Sequence, residues 1–226
     1  MLEPAVPAVM TRPATPPLAI NRRNRIQIVA LLGLLTAIHL LSLLRFPAAF
    51  EDEGWLANRA WGLLHTGWAF GTVDSGVFEN YPHYERFFFW LCSALTAPAL
   101  ALFGPTLLAV RLVSLLFGLV LLVVIYYIAV QLYDHYTGLL AVGLLGLSVP
   151  FFQMAHLGRQ DITVAAFGYG AVACYLSAAR SGRAWQGFLA GLLATLTLDI
   201  HPSGAIFIAA LGLLCLRDYG LRVVQS

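Results

Sequence analysis

Long uncharged runs separated by short polar breaks set the pattern along the chain. The first, Ile26 to Leu44, has 19 residues without a charge, enough for a helix to cross a bilayer. The others are Phe87–Val110, Leu112–Ala129, Tyr136–His156, Ile162–Ala179, Ala184–Leu198 and Ile200–Leu216. Pro98 and the Gly104-Pro105 pair break the run that starts at Phe87, and the last two runs are short or kinked by Pro202. Leu, Ala and Gly dominate these stretches, which suits helices that pack closely in lipid. Backbone groups in lipid must be satisfied within each segment, so the predicted elements are helices rather than an open sheet.

The polar breaks orient the runs. "NRRNR", residues 21–25, precedes the first run and places that side in the cytoplasm. Residues 1–21 form a disordered cytoplasmic tail on this reading, with Pro4, Pro7, Pro13, Pro16 and Pro17 and no periodic pattern. A cleaved signal peptide with "PAA" as its site is the alternative; the long Pro-rich leader favours an uncleaved anchor. If all seven runs span, "ARSGR" (179–183) and "LRDYGLR" (216–222) fall outside, against the positive-inside tendency. If Phe87–Val110 instead lies along the outer interface or re-enters, Arg180, Arg183, Arg217 and Arg222 join Arg22, Arg23 and Arg25 in the cytoplasm. The expectation is therefore an all-α polytopic membrane bundle of about six spanning helices. Interfacial or re-entrant helices would occupy a first outer loop at about 46–110.

Composition agrees with a bilayer setting. Hydrophobic residues make up 60% of the chain and charged ones 11%, too little charge to cover a soluble surface, and mean hydropathy is +0.80. A net charge of +2 gives no case for nucleic acid. Cys92, Cys174 and Cys215 sit far apart in apolar runs, neither a zinc pattern nor a disulfide framework.

Against this background a few polar clusters carry candidate chemistry. In "FEDEGWLANRAW", residues 50–61, Asp52 and Glu53 stand where a helix begins. Leu56, Ala60, Leu63 and Leu64 repeat at helical spacing, and Gly67 ends the pattern. Such acids stabilise any helix start, and Trp55 and Trp61 anchor any interfacial helix, so a purely structural reading stands beside a chemical one. "HLGRQD", residues 156–161, ends another run. Arg159 is suited to phosphate by its permanent charge and planar donor fork, and Asp161 can pair with it, orient it or bind a metal. "LDIHPSG" (198–204) holds Asp199 and His201, and "YPHYERFF" (81–88) holds Glu85 and Arg86. On the six-helix topology the loops with Asp52, Asp161 and His201 share the outer face. Gly-rich phosphate loops, HExxH and GxSxG do not occur.

The order of these features resembles a known family. A basic N-terminus and one helix lead to an acidic "DE" with aromatics, then to "VRLVSLLFGLVLL" (110–122) and "HLGRQD". This is similar to membrane glycosyltransferases of the protein O-mannosyltransferase and aminoarabinose-transferase type, GT-C enzymes that use polyprenyl-phosphate sugar donors. The resemblance, from about residue 22 onward, implies a GT-C-like transmembrane domain of which residues 22–226 are the N-terminal part. It implies Asp52 and Glu53 as catalytic acids. It also implies donor or phosphate contacts from Glu85, Arg86, Arg111, Arg159, Asp161 and His201. The partners implied are a polyprenyl-phosphate sugar, a lipid, protein or glycan acceptor and the bilayer; a divalent cation is compatible but not demanded. The implied setting is a multi-pass plasma membrane protein with its site outside, and displacement at one face implies inversion. A non-enzymatic polytopic subunit or a transporter fragment is the competing reading.

Overall fold

The computed structural model describes residues 21–71 and 90–220. The expected tail, residues 1–20, and the Glu85-Arg86 pair lie outside the described residues. Among those described, all regular structure is helical. The order is α1 (Arg22–Ser42), α2 (Glu51–Thr66), α3 (Trp90–Phe103), α4 (Leu107–Leu132), α5 (His135–Gly146), α6 (Val149–His156), α7 (Asp161–Ser181), α8 (Ala184–Ile200), a 3₁₀ turn (Pro202–Gly204) and α9 (Ala205–Tyr219).

Local chemistry sets the boundaries. Asn21, Thr106 and Asp134 start α1, α4 and α5, each with a side-chain oxygen accepting a first-turn backbone N–H. Gly67 ends α2 with φ +78°, a left-handed conformation that glycine adopts without a Cβ penalty, as the spacing predicts. Two expectations about breaks come out differently. α3 runs through Pro98 and stops only at Gly104, whose φ is +71°. Proline removes one ladder bond, a loss that a helix packed among neighbours tolerates. The run Tyr136–His156 is instead two helices bent by 67°. Ser148 Oγ accepts the Phe151 N–H and starts α6 anew, and Pro150, in its first turn, needs no N–H there.

Three helices, α1, α4 and α7, are long and apolar enough to cross a membrane, or up to four if the bent α5–α6 pair counts as one span. α3 and α8 are shorter apolar helices. The expected six spans thus remain an expectation, while the all-helical membrane character stands. The main core joins Ile28 and Leu35 of α1, Leu121, Leu122 and Tyr126 of α4, Val142 of α5, Phe151 and Ala155 of α6, and Ile162 and Ala166 of α7. Gly118 lets α4 approach α6 closely, since a Cβ there would lie 2.9 Å from that of Ala155. Large apolar side chains such as Leu41 (74% exposed), Phe188 (74%) and Leu213 (68%) face outward, as a lipid environment allows and water does not.

A second, smaller core decides where the polar loops meet. Leu56 of α2, Cys92 of α3, Val164 of α7 and Ile200 of α8 are buried together. Full burial of a leucine such as Leu56 stabilises by about 1.5–3 kcal/mol. That contact pulls the starts of α2, α3 and α7 to the end of α8. The α7–α8 hairpin turns at Gly182, at the opposite end of the bundle.

This arrangement, with the positive-inside tendency, fixes an expected labelling pattern. A membrane-impermeant thiol reagent should label a cysteine at Ser203 from outside and one at Ser181 only after the membrane is opened. Outside labelling at Ser181 would overturn the orientation.

Candidate functional site: a carboxylate–arginine cluster

The site is built on one buried ion pair. Glu53, on the third residue of α2, is 2% exposed, and Arg111 of α4 is fully buried. Arg111 Nε donates to Glu53 Oε1 at 2.9 Å and Nη2 to Oε2 at 3.0 Å, a bidentate fork. Gly158 N–H donates to Oε1 at 2.8 Å and Phe50 N–H to Oε2 at 2.9 Å. Four hydrogen bonds fill the carboxylate. The remaining end of Arg111 is used as well, since Nη1 donates to Leu43 O at 2.8 Å and to Pro47 O at 3.0 Å. Burial alone would raise the Glu53 pKa. The Arg111 bonds, the Gly158 and Phe50 N–H groups and the Arg111 charge together outweigh it and hold the carboxyl below its ordinary value.

This geometry gives two of the expected site residues a structural role. Glu53, expected as a supporting catalytic acid, is 2% exposed and spends its carboxylate on the framework. Arg111, expected as a donor contact, is fully buried and directs its guanidinium to Glu53, Leu43 O and Pro47 O. Both hold the framework. The pair ties α2 to α4, to the segment after α1 and to the turn before α7. Gly158 belongs to the knot, because a Cβ there would lie 2.8 Å from Val110 Cγ2 and 3.4 Å from Glu53 Oε1.

The neighbours of these anchors form the open part of the site. Asp52 precedes Glu53, Arg159 follows Gly158, and a step of about 100° per residue turns Asp52 away from the buried pair. Arg159 Nη1 lies 2.9 Å from Asp52 Oδ2, and its Nε lies 2.9 Å from Asp161 Oδ2. Asp52 is 38% exposed, Asp161 34% and Arg159 28%, so the cluster is half-open. The Phe50 ring sits 5.5 Å from the guanidinium carbon, within cation–π range, and Ser114 Oγ donates to Arg159 O at 3.3 Å. Asp52 and Asp161 stand in the first turns of α2 and α7, where the helix dipoles favour negative charge.

The remaining expected residues sit around this cluster in different ways. Asp199 Oδ2 accepts the Leu91 N–H at 2.7 Å and so caps the start of α3 from α8. Asp161 and Asp199 both act on the Cys92 thiol, which burial first of all raises to about 12, so their charges converge there. His201 ends α8, and its Nδ1 is engaged by Ser203 N–H at 3.2 Å and Ser203 Oγ at 2.7 Å in the 3₁₀ turn. Among the described residues no three of His, Cys, Asp and Glu converge as a metal site would require; Arg159 already supplies the positive charge between the two acids. The sequence reading named Asp199 with His201 but missed Phe50 and Gly158 as parts of the site. A glycine directly before the phosphate-suited arginine was the available signal for Gly158.

Fold and site together define an all-helical membrane-embedded protein with an acid–arginine cluster at one end of its bundle. A protein-family model described as dolichyl-phosphate-mannose-protein mannosyltransferase matches residues 87–225, more than half of the chain, and the chain belongs to that family. Membership makes it a membrane glycosyltransferase in broad class, and the family implies a polyprenyl-phosphate sugar donor and a bilayer. The match includes Arg111, Arg159, Asp161 and His201, and begins after Asp52 and Glu53. No curated protein and no solved structure matches.

Removing one partner of the buried pair should be costly. Arg111→Met leaves Glu53 buried and unpaired, and unfolding stability in detergent should fall by about 3–5 kcal/mol. The Glu53 contribution has a defined acid limit. It is present above the ordinary carboxylate value of 4.5 and is lost as pH falls through the lower folded value. Acid unfolding profiles of the unaltered protein and of Glu53→Gln should therefore converge at low pH.

Proposed function

We propose that the cluster of Asp52, Arg159 and Asp161 transfers a sugar from a polyprenyl-phosphate donor to a lipid, protein or glycan acceptor on the non-cytoplasmic face. The observation that carries this reading is the placement of Arg159 within 2.9 Å of both acids at a half-open helix junction. Asp52 is the general base. Its carboxylate takes the acceptor hydroxyl proton as that oxygen attacks the anomeric carbon. The bond from that carbon to the phosphate oxygen breaks, and attack opposite the leaving group inverts the configuration.

The leaving lipid phosphate needs positive charge more than a proton. Arg159 spends Nε and Nη1 on the two acids and keeps further N–H donors of its five for phosphate oxygens. The starts of α2 and α7 add favourable backbone dipoles on the same side. Asp161 orients the guanidinium, while Glu53 and Arg111 set the distance between Asp52 and Arg159. His201 lines the neighbouring turn, and Glu85 and Arg86 complete the donor contacts on this reading.

Transfer from a polyprenyl-phosphate sugar by the purified protein is the test. Asp52 is the second residue of α2 and not its cap, so Asp52→Asn should keep the helix and slow transfer about 10²–10⁴-fold. Glu51→Gln, at an exposed neighbour, should change it far less. Asp161→Asn should reduce transfer and leave membrane insertion intact. Normal turnover by Asp52→Asn would reduce the acids to a helix-start role.

A further inference from the structure

We propose that the groove between α4, α7 and α8 holds one acyl chain of an anionic phospholipid, whose phosphate rests against Arg180 and Arg183. The groove has a volume of about 400 Å³. On α7 it is lined by the small residues Ala166, Gly170 and Ala173, which recur at helical spacing and leave a trough. Val120 and Val124 of α4 and Leu189 and Leu193 of α8 line its two sides. A chain lying there touches α4 and α8 at once, on either side of α7.

The lining selects hydrocarbon. Its few polar members, Tyr127, Ser177 and Gln186, stand together near the α7–α8 turn and already have protein partners. Tyr127 OH and Ser177 Oγ lie 3.0 Å apart, and the Ser181 hydroxyl donates to Gln186 Oε1 at 2.5 Å. From Ala166 to Ser177 α7 rises about 16 Å. One leaflet's share of the hydrocarbon core is about 15 Å, so a single phospholipid chain matches the groove in length. The far end is separate from the carboxylate–arginine cluster. Phe117 and Phe167 each follow a cluster-side residue, Arg111 and Asp161, by six positions, and their rings meet there with centroids 5.8 Å apart. No residue of the cluster lines the groove. The headgroup of the occupant therefore lies at the Gly182 end.

Charge identifies that headgroup. Arg180 stands in the last turn of α7 and Arg183 immediately before α8, and both are exposed. Arg180 gives one N–H to Gln131 O and keeps its other donors. Trp185 is 58% exposed beside them, a ring suited to the headgroup level. The start of α8 has no side-chain cap, and its dipole favours an anion. The end of α7 opposes with about half an elementary charge, against two full positive charges. Acids at this end are engaged elsewhere: Asp134 accepts the Thr137 N–H, and Asp218 pairs with Arg217 and accepts the Tyr175 hydroxyl. A zwitterionic headgroup brings its own cation to the two arginines, and an anionic one does not. By the positive-inside tendency this end faces the cytoplasmic leaflet, where anionic lipids reside.

The test uses the full chain in a nonionic detergent, with dioleoyl phosphatidylglycerol as the probe. The lipid binds the folded state, so it should raise the melting temperature to a plateau, and dioleoyl phosphatidylcholine should need a much higher concentration. In the double variant Arg180→Gln/Arg183→Gln the preference for phosphatidylglycerol should fall by roughly 30-fold. Phosphatidylglycerol with a diazirine at the end of one chain should crosslink close to Phe117 and Phe167. Gly170→Leu should abolish that crosslink. A Cβ at Gly170 meets only Leu193 Cδ1, at 3.5 Å, so the added side chain enters the groove without displacing backbone. Equal stabilisation by both lipids, or by inorganic phosphate alone, overturns the proposal. Crosslinks confined to other helix faces do the same, and so does displacement of the probe by a polyprenyl phosphate, which assigns the groove to that chain instead. If Gly170→Leu fails to fold, the crosslink positions in the unaltered protein and the arginine variant decide.

Discussion

The Glu53–Arg111 ion pair is the constraint on which the site depends. It joins residues 58 positions apart in sequence, and both are withdrawn from solvent. Such a pair loses much of its Coulomb gain to desolvation, so its worth as net stability is small against a well-packed apolar alternative. Its value lies in direction. Every oxygen lone pair of Glu53 and four N–H donors of Arg111 are committed, and together the bonds join α2, α4, the segment after α1 and the turn before α7. An apolar substitute would pack those segments without fixing their relative rotation.

That rotation places the half-open cluster. Asp52 is one residue from Glu53 and Arg159 is one residue from Gly158, so anchoring the inner neighbours brings the outer ones within 2.9 Å. Adjacent residues thus divide the labour, the buried member framing and the half-exposed member forming the open cluster. The same economy appears at Asp199, a carboxylate whose bond to the Leu91 N–H pins the start of α3.

Much of this was legible in the sequence, but by residue type more than by role. The uncharged runs gave the helices, Gly67 gave the end of α2, and the "DE" and "HLGRQD" stretches named the residues that meet. The assignment of roles within each stretch was not legible. Asp52 and Glu53 differ by one methylene, and only the partner across the bundle makes one buried and the other open. Arg111 and Arg159 are likewise the same chemical type, separated by burial alone. The bend at Ser148 was visible in principle, from a capping serine two residues before Pro150. Pro98 misled because the cost of a lost backbone bond depends on packing that no local pattern records.

A double-mutant cycle on unfolding free energy, with Glu53→Met, Arg111→Met and the double variant, tests most directly whether this pair organises the site. The account predicts two strongly destabilising single changes and a double change far below their sum, a coupling of at least about 2 kcal/mol. Effects that add to within about 0.5 kcal/mol would contradict it.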